Sequence, residues 1–589
     1  MSLSSVADAQ ISPGGMGGPG MGGPSSSGDD AKKDGVAEAA PKTPGLLPTT
    51  PALPPQKSRR KKWKLLELDG YFRVRTDWFK NFNLGFSDDP ALGGAPFPRP
   101  LHCQTTITDC DSSPSVSGAN MRLRLEPTIN LNEGTSIHIQ ADVYDNLILG
   151  STPAIGDFSQ FTDTNLPPVG AFNNNQQAPE RGVNSDRSAI IIKRAWAEIA
   201  VPLGIIKVGR MPNQWGMGIF ANGGAYDPIN GTYDYESDLG DNVDRASFSA
   251  LIPGTNLRAM IASDWVLTRL VSNQADLGVG RENHPWNLDS KDDASAWVAV
   301  ISRMDSPQEF RDRVDRGETA FNYGVYFEYK TQEFDDNLTG FKLGGAFDAP
   351  SKYVVRNLKT YTPDLWAKLG VGRFLFEAEV VGQFGSVRLD DYGLTGQIDI
   401  RKFGGTGRLT WRGLDGRLRL GFESGFASGG QFDNKIPGRT FITNADLTGP
   451  PTNKELTQFF FNREYKIDLI LFRHLLGSVT NAVYAKPFLS YDLTKSIQFR
   501  VANVTSFALK PVATPGNEPF YGTEFDGDLS YNTGNLSLGI AYGVLFPFGA
   551  MRHPADENGG TFGFTGTGVS NVGDPGTAHT IQSRLILRF

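Results

Sequence analysis

Side chains able to do bond-making chemistry are sparse in this chain of 589 residues, which has six histidines and two cysteines. His102, His138, His284, His474, His553 and His579 stand in no spacing that sets a nucleophile or a bound metal beside them, as hydrolytic sites require. His138 alternates onto the polar side of its segment, away from any lipid-facing surface. Neither an enzyme nor a cofactor is expected. Cys103 and Cys110 lie seven residues apart in a Ser/Thr/Pro/Asp-rich stretch. With only His102 nearby a zinc site lacks ligands, so a short disulfide in an oxidising compartment is the expectation. Asp227, Asp234, Glu236, Asp238 and Asp241 crowd the glycine- and aromatic-rich region 212–243. Carboxylates suit a hard cation, but the spacing fits no EF-hand loop. A solvated acidic loop, or one that folds inward as a constriction, is expected there rather than a metal site. The glycine tracts 220–226 and 559–568 match no phosphate-binding motif.

What remains is charge in alternation, and that requires strands to carry it. The 57 basic and 64 acidic residues leave a net charge of −7, without the basic footprint of a nucleic-acid binder. A 39% hydrophobic content with 68 glycines and 37 prolines leaves little for several packed cores. No stretch approaches the roughly 20 consecutive apolar residues of a membrane helix, so a bilayer-spanning form must use closed strands.

The period is two from Leu66 onward. Leu66, Leu68, Gly70, Phe72, Val74, Thr76 and Trp78 alternate with Glu67, Asp69, Tyr71, Arg73, Arg75 and Asp77. Met121, Leu123, Leu125, Pro127, Ile129 and Leu131 oppose Asn120, Arg122, Arg124, Glu126, Thr128 and Asn130, Pro127 costing one ladder bond. Asn132-Glu133-Gly134 turns into a third such run, as in a hairpin. Short turns recur at 202–204, 253–255, 370–372, 414–416, 493–495 and 532–534. Long polar connections lie near 80–118, 150–187, 212–243, 267–293, 333–360, 429–481 and 548–577. Outer-membrane barrels alternate short and long connections in this way, and a soluble sandwich has no reason to. The expected fold is an all-β transmembrane antiparallel barrel of about 18 strands (16–18). Parity then requires the apolar piece Ile467 to Phe472 to be a loop or lumen insert, and 305–318 is expected to form a short helix.

Ahead of the barrel, assigned to 65–589, residues 1–10 carry Ala7-Asp8-Ala9, which suits the end of a signal peptide. Residues 11–64 comprise a Gly/Pro-rich tail expected to be disordered, then the basic run Arg59 to Lys62 with Trp63 and Lys64, suited to a membrane rim. At the other end Ile581, Leu585, Leu587 and Phe589 share one face. This resembles the β-signal of outer-membrane barrels and implies the barrel assembly machinery as a partner, alongside outer-membrane lipid. Three further segments, 68–75 (LDGYFRVR), 209–216 (GRMPNQWG) and 240–245 (GDNVDR), carry a wider resemblance. Through them residues 60–589 resemble a family of porin-like outer-membrane β-barrel proteins of Myxococcus-type bacteria, to which no catalytic residues are assigned. The resemblance implies a barrel with a porin-like role.

Barrel closure makes the last strand a neighbour of the first. Arg584 and Arg588, Arg73 and Arg75, and Arg122 and Arg124 then fall on three adjacent strands and form a basic wall. Glu328, Glu377, Glu379, Glu423, Asp526 and Asp528 take the inward phase elsewhere. Such a lumen suits small polar or anionic solutes, with the N-terminal tail and the C-terminus periplasmic. The rival expectation is a dedicated export or uptake barrel, for example for polysaccharide, with Tyr71, Tyr144, Trp196 and Tyr326 as stacking positions.

Overall fold

The computed structural model describes residues 64–86, 115–149, 190–224, 240–265, 294–336, 353–389, 394–430, 455–554 and 573–589. Cys103, Cys110, Arg59 to Lys62, and the acidic positions 227, 234, 236 and 238 lie outside them.

Alternation of apolar and polar residues, broken by turn residues, produces strands wherever one face can be buried and the other can meet hydrocarbon. They are β1 (Leu66–Lys80), β2 (Ser115–Asn132), β3 (Thr135–Ile148), β4 (Ile190–Val201), β5 (Gly204–Pro212) and β6 (Asn242–Leu251). Next come β7 (Arg258–Trp265), β8 (Ser295–Arg303), β9 (Ala320–Asp336), β10 (Tyr353–Val371), β11 (Phe374–Leu389), β12 (Leu394–Gly413) and β13 (Leu418–Ala427). The last are β14 (Glu455–Leu456), β15 (Ala482–Asp492), β16 (Ile497–Ala508), β17 (Phe520–Thr533), β18 (Leu536–Pro547) and β19 (Ala578–Arg588). The two residues of β14 lie parallel against β12, while β13 pairs directly with β15. The other strands close antiparallel through β1 and β19, giving a barrel of 18 strands.

Seven of the tight turns foreseen from the sequence join consecutive strands at one end of the barrel. The β12–β13 turn shows why its residues are what they are: Leu414, Asp415 and Gly416 have φ of 50°, 53° and 86°, a left-handed run that aspartate and glycine tolerate best. The eighth connection at this end carries α1 (Pro307–Asp315), inside the stretch where a helix is expected. Ser306 and Glu309 close a capping box, and Phe310 and Val314 pack under Gly370 and Leu375. The C-terminus reaches the same rim, where Phe589 and Gly70 exchange backbone hydrogen bonds of 3.1 Å.

The barrel is apolar outside and polar within. Along β1 the inner positions Arg73, Arg75 and Asp77 are buried, while Leu66 and Leu68 are exposed. Ile192, Trp297, Leu365, Phe525 and Ile540 likewise stand out from the wall. Two corrections to the sequence reading concern the long-connection end. Residues 353–360 belong to β10, because a bulge between Val355 and Leu358, with Asn357 at φ 44°, interrupts the alternation that would have revealed the strand. Two shorter connections, β11 to β12 and β16 to β17, also lie at that end and escaped the list of long polar stretches.

Candidate functional site

Closure places the six arginines as the alternation requires. Arg73 pairs in register with Arg122, Arg75 with Arg584, and Tyr71 with both Arg588 and Arg124. Six guanidinium groups on three neighbouring strands would repel one another, and the structure interleaves them with acids. Arg122 meets Asp145 at 2.6 Å through Nε. Arg124 grips Asp142 in a two-pronged pair of 2.6 and 2.8 Å. Lys193 of β4 reaches both acids, at 3.2 Å to Asp142 and 2.6 Å to Asp145. Arg73 bonds Asn146, Arg75 lies 3.3 Å from Asp77, and Arg584 donates to Asp528 at 2.9 Å. Asp528, expected on an opposing acidic side, therefore belongs to the basic wall.

The sequence hides one of these acids, Asp145, and the amide Asn146 beside it. Asp145 and Asn146 stand on an irregular end of β3, where Tyr144 and Asn146 have φ of 51° and 55° and the pairing with β2 slips. The alternation fails there, so Tyr144 is exposed while Asp145 and Asn146 are buried. Further along the same wall Trp196 stacks on His138, with ring centres 4.9 Å apart. Glu198 accepts from Trp196 at 3.2 Å and from Lys207 at 2.5 Å. These groups keep partial exposure, as do Arg124 and Lys193, whereas Arg73 and Arg122 are fully covered.

Opposite, the glutamates expected in the lumen, Glu328, Glu377, Glu379 and Glu423, are buried and engaged. Arg408 bridges Glu377 and Glu423 at 3.3 and 3.4 Å. Glu423 also accepts from Tyr465 at 3.0 Å and Tyr484 at 2.8 Å. Glu328 lies beside Tyr326 and near Lys330, and Arg245 and Asp264, not singled out from the sequence, form a two-pronged pair of 2.6 Å. Asp526 neighbours Glu524 and Lys486. Four aromatic positions do not make a continuous stacking track. Tyr71 lies under Arg124 at 5.6 Å, Tyr326 is buried against Trp215, Tyr144 is exposed, and Trp196 alone offers a partly open ring.

Loops pack against one side of the lumen. Residues 81–86, 213–224 and 457–481 turn inward, the last containing the piece expected as a lumen insert. Phe82, Leu84, Trp215, Ile219, Phe461, Ile470 and Phe472 join one apolar cluster with the inner wall. Its buried wall members come from β7–β11, β13, β15–β19 and Phe79 of β1. Among the described residues β2 contributes only the half-buried Val116, and β3 to β6 contribute none. The inward region 213–224 fits the constriction expected between 212 and 243. It is tied to the longer loop where Asn462 donates from its backbone to Ile219 at 2.8 Å and from its side chain to Asp241 at 2.6 Å.

Asp241 and Asp468 sit within this packing. Burial pushes the Asp241 carboxyl up to about 7, with Glu464 adding to the rise and the donors Asn222 and Asn462 opposing it. Burial likewise raises Asp468 to about 6, against the backbone N–H groups of Phe472 and Arg473 that it caps at 2.8 and 2.9 Å. His474 rests on Phe79 and Phe82, and burial keeps it well below the usual histidine range, helped by Arg473, Arg75, Lys466 and Arg463. Among the described residues no group of histidine, cysteine and carboxylate is placed to hold a metal ion.

Site and scaffold together define a closed β-barrel whose lumen is filled on one side and polar and charged on the other. Solved structures of similar architecture include the outer membrane protein opdK of Pseudomonas aeruginosa (10% identity, TM-score 0.43, covering 89% of this chain and 99% of that one). A BenF-like porin of Pseudomonas fluorescens gives 8% identity and a TM-score of 0.41, over 89% of this chain and 99% of that one. The outer membrane channel DcaP of Acinetobacter baumannii gives 11% and 0.35, over 89% and 97%. No protein-family model matches the sequence, and no curated protein matches it either.

Proposed function

We propose that this protein is a bacterial outer-membrane channel through which small polar or anionic solutes diffuse passively along the β1–β5 side of the lumen. One observation carries the reading: apolar packing covers the inner wall from β7 round to β19, while β2 to β5 keep a wall of partly exposed charge. Charges on that wall would cost several kcal/mol facing lipid and are tolerated over water. Membership of the Myxococcus-type family rests on the three segments quoted above. The tight turns and both chain ends are assigned to the periplasm, and the outward residues Ile581, Leu585, Leu587 and Phe589 to recognition by the barrel assembly machinery. The basic run before β1 is assigned to the rim of the bilayer and Cys103–Cys110 to a disulfide in the first outer loop.

A second reading, a dedicated export or uptake barrel opened by a partner, is favoured by the depth of the apolar packing. Liposome swelling separates the two. The purified barrel alone should admit small organic anions faster than cations of equal size. No uptake of either would favour the partner-opened barrel.

A further inference from the structure

Of all the contacts between the inward loops and the wall, two are alike and unusual. Glu379 of β11 accepts hydrogen bonds from the consecutive backbone N–H groups of Met217, Gly218 and Ile219, the latter two at 2.9 and 3.3 Å. Glu524 of β17 accepts from Leu469, Ile470 and Leu471 at 2.9, 2.8 and 3.0 Å. Both carboxylates are fully buried. Successive N–H groups that converge in a turn make a concave site that a buried carboxyl oxygen fills. The 213–224 turn is built for this. Gly216 and Gly218 have φ of 53° and 89°, and a Cβ on Gly216 would lie 2.6 Å from the Glu379 carboxylate.

We propose that Glu379 and Glu524 are latches that hold the two inward loops in the lumen as one body, and that their release widens the channel beyond its β1–β5 side. The loops form one body because Asn462 joins the longer to the shorter at Ile219, Phe220 and Asp241. The latches stand apart on the wall, with β12, β13, β15 and β16 between them, so together they fix the plug at two edges. The rest of the contact is apolar packing with single hydrogen bonds, such as Tyr465 to Glu423 and Arg194 to the Gly223 carbonyl, and holds position less strictly than six aligned N–H donors. Glutamine is the discriminating substitution. It keeps the shape, but its amide presents N–H groups to N–H groups.

The latch assignment rests on the channel reading only for its consequence, so the test has two readouts. In a Cys103→Ser, Cys110→Ser background, Ala221→Cys reports on the shorter loop and Ser478→Cys on the longer, both positions being buried. Each is labelled with a water-soluble maleimide in the reconstituted barrel, and current is recorded from the same preparation. Glu379→Gln should raise labelling at 221, and Glu524→Gln at 478, by about tenfold, the scale of one lost buried hydrogen bond. Heat-modifiability should stay as in the parent. Glu379→Asp and Glu524→Asp, which keep the carboxyl but shorten the reach, stand in for a glutamine variant that fails to assemble. Unchanged labelling in folded variants overturns the latches, whatever the current. Raised labelling with no current in any variant leaves the latches standing and removes the channel.

Discussion

Asp142 offers the sharpest test of how charge works in this lumen. It accepts both prongs of Arg124, lies 3.2 Å from Lys193 and 3.7 Å from Arg122, and is itself fully buried. Asp142→Asn deletes one negative charge beside three cations without changing shape. For an ion passing about 7 Å away, at an effective dielectric constant of about 50, that charge is worth about 0.9 kcal/mol. Screening over a Debye length of about 8 Å leaves about 0.4 kcal/mol. The effect has opposite sign for the two ions of a salt, so the anion-to-cation permeability ratio should rise about fourfold. Under a tenfold KCl gradient in planar bilayers this moves the reversal potential by about 25 mV toward the anion value. Arg124→Gln should move it by a similar amount toward the cation value. Stability should fall by about 1–3 kcal/mol in Asp142→Asn, less than for a lone broken buried pair, because Asp145 still holds Arg122 and Lys193. Shifts in the same direction for the two variants, or none beyond a few millivolts, would refute the placement of this cluster on the conducting path.

Two further expectations follow from the loops and from the seam. Because burial raises Asp241 to about 7 in the folded barrel, the carboxyl is protonated there between its ordinary range and that value. Its contribution to stability is full at acid pH and declines as pH rises toward 7, so the denaturation midpoint should fall from pH 5 to pH 8 in the parent and less in Asp241→Asn. Equal slopes would remove Asp241 from the account. Deleting Phe589, whose backbone closes onto Gly70, should reduce the heat-modifiable form in outer-membrane fractions, and a normal yield would deny it an assembly role.

Strands such as Leu66–Lys80 are legible because lipid outside and water or charge inside leave a strict period of two in the residues themselves. The adjacency of Arg73, Arg122 and Arg584 follows from closure and is equally legible. Their acid partners Asp77, Asp142 and Asp528 share the polar phase and are legible too, but Asp145 is not. Asp145 stands on a bulge, where parity is lost, although Glu524 shares its phase with Asp526 and Asp528 and was open to the same reasoning. The plug was visible as an apolar piece that spoiled the strand count and as the inward alternative for 212–243. What seats it, Glu379 accepting from residues 160 to 162 positions away, is a long-range contact that leaves no periodicity in a single sequence.

The central claim is that solute passes along the β1–β5 wall and not through the packed side. It is tested most directly by single-channel recording from barrels in the Cys103→Ser, Cys110→Ser background that carry one cysteine, modified by a bulky water-soluble thiol reagent. With cysteine at Lys193 or Glu198, modification should cut the current by more than half, while cysteine at Thr580 or Ser506, both buried on the packed side, should leave it unchanged. Block from the packed side alone, or a parent barrel that carries no current, would contradict the account.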